Sequence, residues 1–397
     1  MSCSSERIAR LRAACAAEGL DAFLVRDTSS IRWLTAFDDV FDEERAHALL
    51  VDADAALLHT DSRYSEAARA AAREMGGAVA VDDAHMTHAA FVAKALRGAA
   101  ASEEAAGGAA PSQVAGDAGS RQTVLGIEDA VLLSEYRALQ RTLDGGDGED
   151  EAAPPVRLSE TSGFVQRLRA VKDADEVARM RAAQAITDAA FDHIVGFMKP
   201  SMTEREVQIE LDDFMRRHGA ESLAFPSIVA TGVHAASPHA VPGGTRLEAG
   251  QCVVMDFGAR ARGYCSDMTR TVFLGKPSAC MREAYAAIRE ANERVEALLA
   301  PGVTGKQAHE LAERILAEHD FAGKMGHALG HSVGIDIHED PCLAPRNAEP
   351  LTVGNVVTVE PGVYLTGEFG MRLEDFGVIV DGGFDVFTKS THEMVIL

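Results

Sequence analysis

Apolar residues recur along this chain with two different periods, and the periods predict its elements. Across residues 7–18, Ile8, Leu11 and Ala14 fall at helical spacing, so an amphipathic helix is predicted there. Unbroken apolar runs at residues 22–25 and 48–51 read as short buried strands. The opening ~95 residues therefore have the alternation of an α/β domain. Two stretches break the pattern. Residues 98–122 are rich in Ala, Gly, Ser and Glu, and residues 143–155 read LDGGDGEDEAAPP. Neither offers enough apolar surface to bury a core, and both are expected to be mobile surface segments. Residues 124–139 between them carry enough Val, Leu and Ile to belong to the first domain.

Beyond residue 155 the pattern becomes regular. Asp173 with Glu176, Thr203 with Glu206 and Thr304 with Gln307 each have the spacing of a capping box that opens a helix. The last two also begin a duplication. Pro200, Met202, Thr203 and Glu206 match Pro301, Val303, Thr304 and Gln307 at an offset of 101. Leu247, Gly250, Val253, Asp256 and Gly258 match Leu351, Gly354, Val357, Glu360 and Gly362 at an offset of 104. The expected organisation is an N-terminal domain over residues 1–160 and a C-terminal domain over residues 165–397. The second consists of two similar halves, each helices followed by a β-hairpin.

Acidic residues in those hairpins change the picture. The apolar strand from Cys252 ends in Asp256, and the return strand carries Asp267; the two acids are equidistant from a turn placed at residues 261–262. In the second hairpin Glu360 and Glu374 are equidistant from Gly367. Equidistant residues of a hairpin face one another on one side of the ladder. Opposed buried carboxylates repel, so each pair calls for a shared proton or a bound cation. Four carboxylates balance two divalent cations, as in a carboxylate-bridged dinuclear site. His327, His331 and His338 cluster in GHALGHSVGIDIHEDP between the two hairpins, offering a ligand and acid/base groups. Oxygen-rich ligation with one imidazole favours Mn²⁺, with Co²⁺, Zn²⁺ and Fe²⁺ as alternatives.

Charge and cysteine usage narrow the setting. The chain has 397 residues, 61 acidic against 38 basic, and a net charge of −23. Such a surface repels phosphate backbones and anionic membranes, which excludes nucleic-acid binding as the main function. No apolar run approaches a membrane span, and the N-terminus lacks the apolar core of a signal peptide, so a cytoplasmic location is expected. The six cysteines form no CxxC pair and read as reduced thiols.

With these residues in view, the sequence resembles the creatinase/aminopeptidase P/prolidase family of metallopeptidases. The resemblance lies in FPSIVATG at 225–232, DFGARARGYCSDMTRT at 256–271, GHALGHSVGIDIHEDP at 326–341, VEPGVY at 359–364 and MRLED at 371–375. A weaker similarity to the family's N-terminal domain lies in SSIRWLTAF at 29–37. It implies an α/β (α+β) chain: a creatinase-like α/β domain followed by the pita-bread fold of two duplicated halves. It implies five ligands for two divalent ions: Asp256, Asp267, His331, Glu360 and Glu374, with Asp267 and Glu374 bridging. Asp256 would serve one ion, His331 and Glu360 the other. It also implies a substrate-side role for His239, oxyanion stabilisation by His338, a cleft-lining position for His327, and proton transfer by Glu360. Arg372 would orient Glu374 or meet a substrate carboxylate, and Tyr364 would hydrogen-bond within the site. The implied reaction is hydrolysis of the peptide bond before proline by a hydroxide bridging the ions. Aminopeptidase P activity on proline-containing peptides is the leading reading and Xaa-Pro dipeptidase the alternative. A homodimer is expected, with the acidic loop 36–44 a candidate for closing the cleft. A metal-free binding module of the same fold is disfavoured by the intact ligand set.

Overall fold

The computed structural model describes residues 2–42, 44–105, 122–145 and 156–397. Most of both low-complexity stretches, residues 106–121 and 146–155, lies outside the described residues. The chain falls into two compact units, Met1–Arg169 and Ala170–Leu397.

The first unit is built on a six-stranded mixed sheet in the order Ala80–Asp82, Ala56–His59, Ala48–Asp52, Ala22–Val25, Thr123–Glu128 and Val156–Thr161. The strand runs read from the sequence at 22–25 and 48–51 occupy its centre. Leu24, Leu50, Leu125 and Ile127 pack on one face against Phe91, Leu96 and Leu139. The helix Cys3–Ala17 buries Ile8 and Leu11 as expected, with Cys15 as the third buried apolar residue where Ala14 was expected; Ala14 is half-buried. One expectation needs correction. The helix His88–Ala105 continues through the first part of the 98–122 stretch. Alanine has the highest helix propensity, so this alanine-rich segment extends a helix where a breaker-rich one would end it. Likewise Leu143, the first residue of the second stretch, is buried and closes the helix Leu133–Leu143.

The second unit repeats one plan twice. Helices Ala174–Phe197 and Glu204–Arg217 precede the strands Ile228–Thr231, Cys252–Phe257 and Met268–Phe273. Helices Ala279–Leu298 and Gly305–Glu318 precede Val356–Val359 and Asp375–Val380. All three expected capping boxes form, with reciprocal bonds at Asp173/Glu176, Thr203/Glu206 and Thr304/Gln307. The duplication extends to single hydrogen bonds. Leu247 accepts from Ser201 N–H and donates to Met202, at 2.8 Å each. Leu351 accepts from Gly302 N–H at 2.9 Å and donates to Val303 at 2.8 Å. Two cores follow the two halves: Val253, Met255 and Val272 against Leu211 and Met215 in the first, and Val357, Val359 and Ile379 against Ile288 and Ile315 in the second, which also takes in Cys252 and Phe273 from the first half.

Gly250 and Gly354 are equivalent turn residues with φ of 88° and 89°, a region costly for residues with a Cβ. They differ in surroundings. A Cβ on Gly250 would meet nothing within 4 Å, whereas one on Gly354 would lie 2.9 Å from the Val171 side chain and 3.1 Å from the Lys172 carbonyl oxygen. Gly250→Ala is expected to cost about 1–2 kcal/mol of stability from backbone strain alone. Gly354→Ala should cost more, because carbonyl and side chain must also give way. Urea unfolding of both variants checks this; equal losses would show that the Lys172 contact contributes nothing.

The hairpin registers test the sequence reading of the acids. In the second hairpin, Gly362–Leu365 pairs with Phe369–Arg372 and Val356–Val359 with Asp375–Val380 in one continuous register. That register puts Glu360 opposite Glu374, with Gly367 at the turn, as read. In the first hairpin Asp256 pairs with Thr269, not with Asp267. The turn is the pair Arg262-Gly263, both at positive φ, flanked by the pairing of Ala261 with Tyr264. Asp267 is therefore a diagonal neighbour of Asp256, two residues along the same strand face.

Candidate metal centre

The carboxylates meet where the two halves join. Oxygen atoms of Asp267 and Glu374 and a ring nitrogen of His331 all lie within 4.8 Å of one another. His331 Nε2 is 3.6 Å from Asp267 Oδ2 and 3.5 Å from Glu360 Oε1. The other ring nitrogen, Nδ1, donates to the Ser332 carbonyl at 3.0 Å. This bond fixes the tautomer and leaves the Nε2 lone pair directed at the acids, the arrangement a metal-binding histidine needs.

Burial sets the electrostatics. It raises the pKa of all four acids. Asp267 is pushed well above the usual carboxylate range by burial and then by Glu374, Asp256 and Glu360. Glu374 is raised likewise, by burial and then by Glu360 and Asp256. Burial lowers the pKa of His331, His327 and His338, which favours neutral imidazoles. Asp256 Oδ1 is buried with no hydrogen-bond partner among the described residues. An orphaned buried carboxylate oxygen, crowded acids and a free imidazole nitrogen together fit a site for divalent cations.

Arg372 lies inside this cluster, 4% exposed. Its guanidinium pairs closely with Asp256 Oδ2, and Nε lies 3.9 Å from Glu374 Oε2. Nε donates to Thr269 Oγ1 and Nη1 to Tyr364 Oη, each at 2.8 Å. Tyr364 also stacks edge-on with His327 at 5.6 Å. His327 Nδ1 donates to the Ala328 carbonyl, and its Nε2 is buried without a partner among the described residues. His338 is exposed, with its ring 4.4 Å from that of His331. His239 is exposed too, near enough for its charge to bear on Asp256, His327 and His338.

Two hydroxyls in the cluster were not anticipated from the sequence. Thr269 donates to Glu374 Oε2 at 2.6 Å, and Thr358 donates to Glu360 Oε1 at 3.1 Å while accepting from His331 N–H at 3.0 Å. A signal for both was present. Thr269 follows Asp267 by two residues and Thr358 precedes Glu360 by two, so strand alternation puts Thr269 on the face of Asp267 and Thr358 on the face of Glu360.

Comparisons with known proteins agree with this chemistry. The model of "Metallopeptidase family M24" matches residues 178–381, and that of the "Creatinase/Prolidase N-terminal domain" matches residues 7–171. The uncharacterized peptidase YqhT of Bacillus subtilis is 34% identical over 384 residues, 96% of each chain. Among solved structures, the Xaa-Pro dipeptidase from Bacillus anthracis superposes with a TM-score of 0.85 and 34% identity, covering 99% of this chain and 100% of that one. The X-Pro aminopeptidase from Thermotoga maritima MSB8 gives 0.80 and 29%, covering 98% and 100%.

Proposed function

Because the chain belongs to metallopeptidase family M24, we propose that it hydrolyses the peptide bond before proline as an Xaa-Pro aminopeptidase. One observation carries the catalytic reading: Asp267, Glu374 and a tautomer-fixed His331 converge from both halves on one buried point. In this reading Asp256, Asp267, His331, Glu360 and Glu374 would hold two divalent ions. Asp267 and Glu374 would be ligands common to both, with Asp256 completing one site and His331 and Glu360 the other. Ions bound there supply Lewis acidity to water and to the scissile carbonyl. The oxygen-rich donor set supports Mn²⁺.

The chain's own groups do the rest. Thr269 fixes the Glu374 carboxylate, and Arg372, bonded to Asp256, Thr269 and Tyr364, orients the ligands. Full burial among these partners favours that role over contact with a substrate carboxylate. Thr358 and His331 both approach Oε1 of Glu360, which leaves Oε2 to accept and pass on a proton. His338, neutral and exposed beside His331, donates to the developing oxyanion. His239 and His327 face the substrate. His239→Ala is expected to slow turnover roughly tenfold or more while leaving both ions bound, since general acid–base groups contribute at least that much. Metal analysis beside kinetics checks it; loss of both ions would place His239 in the ligand set.

A second reading, Xaa-Pro dipeptidase, is favoured by the 34% identity to the Bacillus anthracis enzyme of that name. The deciding experiment is a panel of Xaa-Pro and Xaa-Pro-Xaa peptides, assayed after metal stripping and separate return of Mn²⁺, Co²⁺, Zn²⁺ or Fe²⁺. Faster cleavage of the longer peptides supports the aminopeptidase. Cleavage of dipeptides alone establishes the second reading. A homodimer in the cytoplasm is the expected setting, and light scattering of the purified chain measures the assembly.

A further inference from the structure

Glu374 belongs to the second half, yet its backbone is held by the first. The second hairpin's ladder is interrupted between Phe369–Arg372 and Asp375–Val380. At the gap Glu374 N–H donates to the Thr269 carbonyl at 3.1 Å. The Glu374 carbonyl accepts from Arg270 Nη1 at 2.6 Å. Its carboxylate accepts from the Thr269 hydroxyl. All three bonds come from two consecutive residues of the other half.

Arg270 does more than meet that carbonyl. Its side chain is 1% exposed. Nη1 also donates to the Thr269 carbonyl at 3.0 Å, and Nη2 to Asp375 Oδ1 and the Ser390 carbonyl at 2.7 Å each. Nε donates to the Thr391 carbonyl at 3.0 Å. The guanidinium thus spans three segments: its own strand, Glu374-Asp375, and residues 390–391 near the C-terminus. Next to these, His392 Nε2 donates to Asp375 Oδ2 at 2.5 Å. Asp188 anchors the same segment through Ser390 N–H at 2.9 Å and the Ser390 hydroxyl at 2.6 Å.

We propose that Arg270 is a positioning residue for the metal centre, clamping Glu374 to the first half and to the C-terminal segment so that Glu374 and Asp267 keep the spacing two ions require. The proposal rests on the reading of Glu374 as a metal ligand. A simple ion pair with Asp375 would need only a positive charge. The five-acceptor fork needs the planar guanidinium, which a lysine ammonium does not reproduce.

Arg270→Lys therefore separates the two roles. Metal-free wild type, Arg270→Lys, His392→Gln and His392→Ala are titrated with Mn²⁺ well below their melting temperatures, by calorimetry and by electron paramagnetic resonance. Arg270→Lys is expected to weaken Mn²⁺ binding about 10–100-fold, the usual range for groups that orient ligands. Its spectrum should show isolated ions where wild type shows a coupled pair. His392→Gln, which keeps an N–H donor for Asp375, should retain more affinity than His392→Ala. Wild-type affinity and a coupled pair in folded Arg270→Lys, with only the melting temperature lowered, would overturn the proposal. If Arg270→Lys does not fold, His392→Ala decides, and unchanged Mn²⁺ affinity there overturns it. Wild type that binds no divalent ion overturns the reading of the ligands themselves, an outcome distinct from the other two.

Discussion

Asp267→Asn is expected to reduce peptidase activity by a factor on the order of 100 or more, a loss at least as large as the 10–100-fold typical of groups one step removed from a metal. The substitution is nearly isosteric, so it isolates charge from shape. Among the described residues, Asp267 and Glu374 offer oxygens that lie within 4.8 Å of each other and of a His331 ring nitrogen. An amide there offers one neutral oxygen where a carboxylate offers two charged ones, so it cannot neutralise two cations at once. The buried pocket would be left under-compensated, and occupancy by the second ion should fall. Kinetics beside metal content of the purified variant test this. Near wild-type turnover in metal-replete buffer would remove Asp267 from the ligand set.

Metal removal should have an effect of similar size on activity and a second, pH-dependent effect on stability. The buried acids have folded-state pKa values raised above their unfolded ones. Asp267 and Glu374 are raised well above the ordinary range. Outside the site, burial and then the Asp375 charge push Glu296 to about 8, and burial pushes Glu128 to about 7. Between the unfolded carboxylate pKa near ~4.3 and these folded values, the native state holds more protons than the unfolded state. The contribution of these acids to the stability of the metal-free protein then falls as pH rises through that window, by up to about 1.4 kcal/mol per pH unit for each such proton, while His47 and His88, which burial pushes down to about 4 and about 3, contribute in the opposite sense below about pH 6.5. Bound cations keep the site acids ionised and remove their share of the dependence, leaving that of groups outside the site, Glu128 and Glu296 among them. Melting temperatures of metal-free and Mn²⁺-loaded protein from pH 5.5 to 8.5 should therefore diverge toward high pH, with a metal-dependent gain of about 4 kcal/mol at a thousandfold excess over the dissociation constant. Parallel curves would mean that the acids are not relieved by metal.

Local chemistry made much of this molecule legible. The capping boxes at Asp173, Thr203 and Thr304 depend on residues three apart, and each formed as read. The second hairpin was legible because Glu360 and Glu374 sit symmetrically about Gly367, a turn glycine with φ of 83°. In the first hairpin the symmetric acids are out of register by two residues, because the turn puts a non-glycine, Arg262, at φ of 51°. Arginine carries no sequence signal for that conformation, so symmetry of the acids centres the turn one residue too early. The 98–105 segment has too little apolar surface to read as core, yet its alanines have the propensity to extend the helix His88–Ala105. The bonds of Arg270 and Arg372 across the seam were out of reach for another reason. They join residues about a hundred positions apart, and nothing local distinguishes an arginine that clamps two halves from one on a solvated strand.

The duplication has a consequence for mass action. In the proposed ligand set each half brings two acids to the centre, fewer than would balance two divalent cations. Had the halves been separate subunits, assembling the centre would depend on protein concentration and on the equilibrium between monomer and dimer. Joined in one chain, they meet at an effective concentration set by the fold. Metal stoichiometry and intrinsic affinity should therefore be independent of dilution.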